Sequence, residues 1–302
     1  MALECSPSPA SDRLGRGGSY SPPAVLADVQ LLDLLELSGS QHATAAFLSM
    51  HQSTVSRSLR VLQEQLALQP GRRSAVCRQG RNPCLDLLRL ASRAHRVMQG
   101  VLRIGADPLH HPLLSGLAGC LQPVPPRFRR AEHWAELVRL AVLDAAILGA
   151  GGLETPPIPG QSPSWEGLTV EPLGVLPLQL VARAGLPRGV LVPRRAVAPM
   201  WHQELERRGL PLVIQPRAAQ ETAAWLKRIR DRNLALPFCP ALVGQAWLRA
   251  QGLTPLPELF CWAQPLWLLL PADLEPSGNS SRMLRLIRRR VHRAAATPAD
   301  PD

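Results

Sequence analysis

The sequence predicts an α/β protein that begins with a small all-helical unit. Two observations carry this. Residues 26–68 read as three helices separated by two tight breaks, and from Leu102 onward strand-length apolar runs alternate with helical stripes, as in a parallel-rich α/β domain. At 302 residues the chain has length for about two domains.

In the first predicted helix, Leu31, Leu32, Leu34, Leu35 and Leu37 put apolar groups on more than one face. Ser38-Gly39-Ser40 ends it, combining a helix C-terminus signal with an N-cap for the next helix. The second helix, over Thr44 to Leu48, is small and apolar, so another helix can cross it closely. Met50-His51-Gln52 is the turn. A third helix is expected from about 53 to 66, with Val55, Leu59, Leu62 and Leu66 as one buried stripe. Its other face carries Gln52, Ser53, Thr54, Ser56, Arg57 and Arg60, which are hydrogen-bonding and cationic groups at the start of a helix that follows a tight turn. A helix-turn-helix has that layout: its recognition helix enters the major groove N-terminus first, reads base edges and clamps phosphates. A plain three-helix packing unit with a solvated polar face shares the stripe.

The same residues resemble the LysR-type transcriptional regulators. The resemblance rests on Gly39-Ser40, on Thr44-Ala45 before Leu48, and above all on Gln52-Ser53-Thr54-Val55-Ser56-Arg57-Ser58-Leu59-Arg60 followed by Leu62, Glu64 and Leu66. The family usually shows Ser-Gln-Pro-Ala-Val-Ser-Arg-Gln-Ile there, so His51 and Ser53 stand in place of the first Ser and the Pro. Gln-x-x-Val-Ser-Arg at this distance from Gly-Ser favours DNA binding over the packing unit.

The resemblance implies a winged helix-turn-helix over residues 25–83, behind an N-terminal arm (1–24) that is too rich in Ser, Pro, Gly and Arg to bury much. The family's two-stranded wing is marked by Leu-Phe and Thr-x-x-Gly, and neither marker is present. In their place lies an arginine-rich loop in which Arg72 and Arg73, with Arg78 and Arg81, have the charge and reach to hold phosphates. A helix over 84–101, with Leu85, Leu88, Ala91, His95 and Met98 as its stripe, sits where the family has a linker helix that pairs subunits. Leu102-Arg103-Ile104-Gly105-Ala106 alternates like a strand and closely matches the opening of the family's second domain, a two-lobed periplasmic-binding-protein-like α/β fold that senses a small effector. That domain is assigned to 102–293, before a tail over 294–302. Its further landmarks are a helix over 134–143 and strands over 143–148, 170–184, 189–194 and 265–270, with helices over 221–229 and 281–292, and residues 233–240 follow the family's Gly-Leu-Gly-Ile-x-x-x-Pro.

The formal net charge is +11, which suits a polyanion partner. Because Lys227 is the only lysine in an Ala-, Leu- and Pro-rich chain, the position of the charge is weighed above its total. Between Arg57 and Arg96 the only acids are Glu64 and Asp86, so basic charge clusters on and just after the third helix. The six cysteines are scattered without Cys-x-x-Cys, which points to reduced thiols in a cytoplasmic chain. No apolar leader and no run of about 18 apolar residues occurs, so neither export nor membrane insertion is expected.

Open α/β sheets bind ligands where strands end and helices begin. That places an effector at Asp107 and Pro108 after the first strand, Arg194 after a second-lobe strand, and Thr222 at a helix start. The mix favours a zwitterionic or polyhydroxylated ligand over a simple dicarboxylate. His110-His111 has no third metal ligand at a useful spacing, and Gly149-Ala150-Gly151-Gly152 lacks the last glycine of a phosphate loop. No nucleophile elbow, zinc-protease motif or P-loop occurs, so no catalytic residue, metal or cofactor is assigned. The expectation is a non-enzymatic regulator that binds double-stranded DNA and a small effector as a homodimer or homotetramer. The alternative is a ligand-binding or protein-interaction module whose DNA-reading end has decayed.

Overall fold

The structure, a computed structural model, describes residues 21–71, 76–122, 124–217, 221–274 and 278–296. Most of the N-terminal arm, the loop arginines Arg72 and Arg73, and the end of the tail lie outside the described residues.

Helix α1 (Ala24–Ser38) ends at Gly39, whose φ of 81° is left-handed and whose N–H bonds to Leu35 O. The left-handed φ favours glycine there, and its bare Cα also leaves room for the Arg127 guanidinium. Helix α2 (Gln41–Phe47) starts earlier than expected because Ser40 caps it, its Oγ accepting from Ala43 N at 3.1 Å. Thr44 is fully buried and lies 2.6 Å from Ser38 Oγ, oxygen to oxygen. Helix α3 (Gln52–Gln65) buries Val55, Leu59 and Leu62, as the stripe predicts, with Leu66 half-buried just past its end.

The apolar residues all round α1 have a physical reason. Leu32 and Leu35 pack with Leu59, Leu62 and Leu85; Leu31 packs with Ala45 and Val55; Leu34 and Leu37 join a second cluster with Trp134, Val138 and Leu143 of the α/β domain. The helix is therefore sandwiched between the three-helix unit's own core and the body of the protein. At about 1.5–3 kcal/mol per buried leucine, the outer pair binds that unit firmly to the body.

Helix α4 (Pro83–Met98) is capped by Asn82, which accepts from Leu85 N at 2.9 Å. Its sidedness corrects the expected stripe. The buried face carries Leu85, Arg89, Ser92, Arg93 and Arg96, while Leu87 and Met98 are 67% and 81% exposed. Ala91 and Ala94 are exposed with them. The helix turns its arginines inward because two buried carboxylates await them. Arg89 Nε donates to Asp33 at 2.8 Å, and Arg96 Nε and Nη2 donate to Asp144 at 2.8 and 2.6 Å.

The α/β domain holds one eight-stranded sheet, ordered β2-β1-β3-β8-β4-β7-β5-β6. Strands β1 (Leu102–Gly105), β2 (Leu121–Gln122) and β3 (Ala145–Gly149) form the first lobe, with α5 (Ala131–Arg139) packed on it. Strands β5 (Val190–Pro193), β6 (Leu212–Gln215) and β7 (Ala235–Phe238) form the second, with α6 (Pro199–Glu206), α7 (Thr222–Arg232) and α8 (Gln245–Ala250). Two long antiparallel strands, β4 (Leu168–Arg183) and β8 (Leu253–Pro271), run through both lobes, and α9 (Gly278–Ala296) lies along β4. This is the two-lobed α/β arrangement expected.

Strand β8 exceeds the expected 265–270 because the sequence breaks it with Pro255, Pro257 and Pro265. The strand survives by bulging: Gln179 pairs with Cys261 and the next residue, Leu180, with Leu256.

Candidate nucleic-acid interface and ligand clefts

On α3 the structure leaves Gln52, Ser53, Thr54, Arg57 and Arg60 exposed and Ser56 half-buried. The tight turn before the helix places Ser49 at φ 53° and bonds Met50 N to Ala45 O at 2.9 Å. The helix begins at His51 with no side-chain cap and no acid in its first turn, so its first N–H groups stay open to an anion. The result is an outward-facing polar and cationic row on a helix fixed from behind by Val55, Leu59 and Leu62.

Among the described residues, the arginines just beyond α3 are drawn into other contacts. Arg89, Arg93 and Arg96 are buried among Asp33, Asp144 and backbone carbonyls, and cannot reach a phosphate. Arg81 pairs with Asp86 at 2.9 Å. The loop is closed by Gly71 N bonding to Arg78 O at 2.9 Å, and Arg78 lines an inward cleft. No strand occurs among the described residues of this loop, and the wing position itself lies outside them.

The three-helix unit is fastened to the α/β domain by buried charge. Asp33 of α1 accepts from Arg89 of α4 and from Arg103 of β1, each at 2.8 Å. Arg103 also donates to Gln122 Oε1 and Val142 O, and its N–H bonds to Asp144 at 2.8 Å. Burial, and then the Arg96 charge, push the Arg103 pKa below its ordinary value against the pull of Asp33 and Asp144. Arg129 reaches across to Glu36 O and Leu37 O at 2.9 and 2.8 Å, and Arg127 to Ser38 O at 2.6 Å.

The four expected effector residues do not converge on one cavity. Asp107 caps its own turn, accepting from Leu109 N and His110 N, and its other oxygen lies 2.7 Å from His110 Nδ1. Thr222 donates to Pro108 O, which ties α7 to the exit of β1. Asp107 borders a void of about 10 Å³ between the lobes, Thr222 a cavity of about 610 Å³, and Arg194 one of about 640 Å³ that adjoins the void through Phe128, Arg129 and Val197.

The interlobe void is small because side chains fill it. Trp201 of α6 meets Phe128 edge-on at 5.8 Å between ring centres, and Phe128 meets Trp225 at 5.0 Å. Gln264 of β8 accepts from Trp201 Nε1 and Gly151 N and donates to His110 Nε2, at 3.1, 3.0 and 2.9 Å. The glycine run after β3 lets these groups approach: a Cβ at Gly151 would strike the Trp201 indole, and one at Gly149 the His110 ring. His110 thus serves packing, and no metal-like grouping of His, Cys, Asp and Glu occurs among the described residues. None of their helices is long and apolar enough to cross a membrane.

No family model matches the chain, and no curated protein matches it. Among solved structures it is similar to full-length LysG of Corynebacterium glutamicum with bound effector Arg, at TM-score 0.47 and 16% identity over 88% of this chain and 98% of that one. It is likewise similar to ArgP from Mycobacterium tuberculosis (TM-score 0.43, 20% identity, 87% and 96% covered). A third such structure is the probable transcriptional regulator PA0477 of Pseudomonas aeruginosa (TM-score 0.45, 17% identity, 87% and 95% covered).

Proposed function

We propose that the chain is a LysR-type transcriptional regulator whose α3 reads double-stranded DNA and whose α/β domain senses a small effector. One observation carries the reading. Gln52, Ser53, Thr54, Arg57 and Arg60 stand exposed at the open N-terminal end of α3, with the rest of the three-helix unit packed behind them. Amide and hydroxyl groups at that end suit base edges, and the two arginines suit guanine edges or phosphates.

One recognition helix buries too little surface for a specific site, so two copies act together. The exposed stripe of α4 supplies the contact: Leu87, Ala91, Ala94 and Met98 recur at helical spacing, and two such helices crossing antiparallel bury each other's stripe. Effector binding shifts the spacing of the paired readers. Because Asp33, Glu36 and Leu37 are bonded into the α/β domain, each reader moves with its first lobe, and the shift acts between subunits.

The test is a titration of the full-length chain against the DNA upstream of its own gene. Preference for a fragment with an inverted repeat, half-sites about one helical turn apart, supports the regulator. Affinity equal to that for random DNA supports the alternative, a ligand-binding or interaction module with a decayed reader.

A further inference from the structure

The cavity of about 640 Å³ beside Arg194 has an unusual wall. Five arginines line it: Arg78 from the loop after α3, Arg127 and Arg129 from the segment before α5, and Arg194 and Arg217 from the ends of β5 and β6. His42 and His133 line it too, and no Asp or Glu does. The reader supplies another side, the stretch from Ser38 to Ala43, so three parts of the molecule meet there.

The charge is poorly compensated. Glu36 is buried behind the wall and accepts from Arg78 N at 3.1 Å. Arg127 and Arg129 rest on the carbonyls of Glu36, Leu37 and Ser38, which satisfy hydrogen bonds without neutralising charge. Arg129 is 7% exposed, and its buried Nε has no partner among the described residues. Burial and the neighbouring Arg127 charge lower the Arg129 pKa to about 9, and burial lowers those of Arg127 and His133 as well. Arg78, Arg127 and Arg129 repel one another here, with Glu36 offsetting them in part, and an anion that joins guanidinium groups so placed stabilises the protein.

We propose that this cleft is a small-molecule site for a compact polyanion carrying two or more carboxylate or phosphate groups. The guanidinium forks grip such groups in pairs, and the volume is that of a small-ligand pocket. The inference rests on the effector-sensing reading and deepens it; the cleft adjoins the filled interlobe void, with which it shares Phe128, Arg129 and Val197. A ligand held here touches the reader's Gly39-Ser40 turn and both lobes at once, so it braces the reader against the second lobe.

Calorimetric titration of the full-length protein with pyrophosphate and with citrate, at fixed pH and 0.15 M salt on the order of the physiological value, tests this. The expected result is saturable binding of at least one probe, one per chain. It should weaken at least tenfold in the Arg194→Gln/Arg217→Gln variant and stay unchanged in Arg288→Gln, a control on α9. Both cleft positions are exposed, so the double variant keeps its fold. No saturable heat with either probe, or equal binding by the double variant, overturns the site. No DNA enters the experiment, so its failure leaves the DNA-reading assignment standing, and a failed DNA titration leaves this one standing.

Discussion

Asp33 in the first helix and Arg103 in the first strand of the α/β domain form an ion pair of 2.8 Å, with both side chains fully buried. Seventy positions apart in sequence, they join the three-helix unit to the sheet through the interior. Arg89 closes the group from α4, also at 2.8 Å. Removing one member of such a group strands a buried charge, which costs far more than the pair contributes.

The first prediction follows. Asp33→Ala should destabilise the protein by about 3–5 kcal/mol, read from the denaturant midpoint. The unsubstituted chain should unfold in one transition by reader-specific and domain-specific probes alike. Two separated transitions would show the reader to be an independent unit.

The pair was not legible in the sequence, although much around it was. The three-helix unit was legible because its signals are local: the Val55, Leu59 and Leu62 stripe, the Gly39 stop and the Ser40 cap act within a few residues. The leucines on more than one face of α1 were visible in the sequence, but not the α/β domain that covers Leu34 and Leu37. The face of α4 was misread because periodicity counts arginine as polar and sends it outward, whereas Asp33 and Asp144 draw it in. Likewise, charge clustering along the chain cannot separate Arg57, which is exposed, from Arg96, which is buried. Asp107 and Thr222 sit at the strand exit and helix start that sequence assigned them, but Phe128 and Trp201 fill the space between the lobes, and no local pattern records that.

The outward apolar face of α4 gives the second prediction. Leu87→Glu with Met98→Glu should convert the oligomer to a monomer in sedimentation analysis. Because both positions are exposed, the folding stability of the monomer should change by no more than about 0.5 kcal/mol each. An unchanged mass would place the subunit contact elsewhere.

Third, the loop arginines should separate by direction. Neutralising Arg72 and Arg73 should weaken binding to all DNA alike and flatten its salt dependence by about one unit per lost contact. Arg78→Gln should leave that slope as it was, since Arg78 lines the inward cleft. Equal effects from the two variants would mean that Arg78 also reaches DNA.

Fourth, thiol accessibility should follow the packing. Cys84 and Cys261 are exposed and should react with a thiol reagent at once. Cys77 and Cys239 are buried, and burial pushes their thiols up to about 11, so they should react only on unfolding. Cys77 lies in the cluster shared by α1 and the α/β domain. Its prompt reaction in the folded protein would mean that this junction opens.

The most direct test is of α3 itself. Fluorescence anisotropy of a labelled upstream fragment should show tight, salt-sensitive binding by the unsubstituted chain. In Arg57→Ala/Arg60→Ala that binding should be lost, while the unfolding midpoint stays put because both side chains are exposed. Unchanged affinity in a folded double variant would contradict the assignment of α3 as the DNA-reading helix.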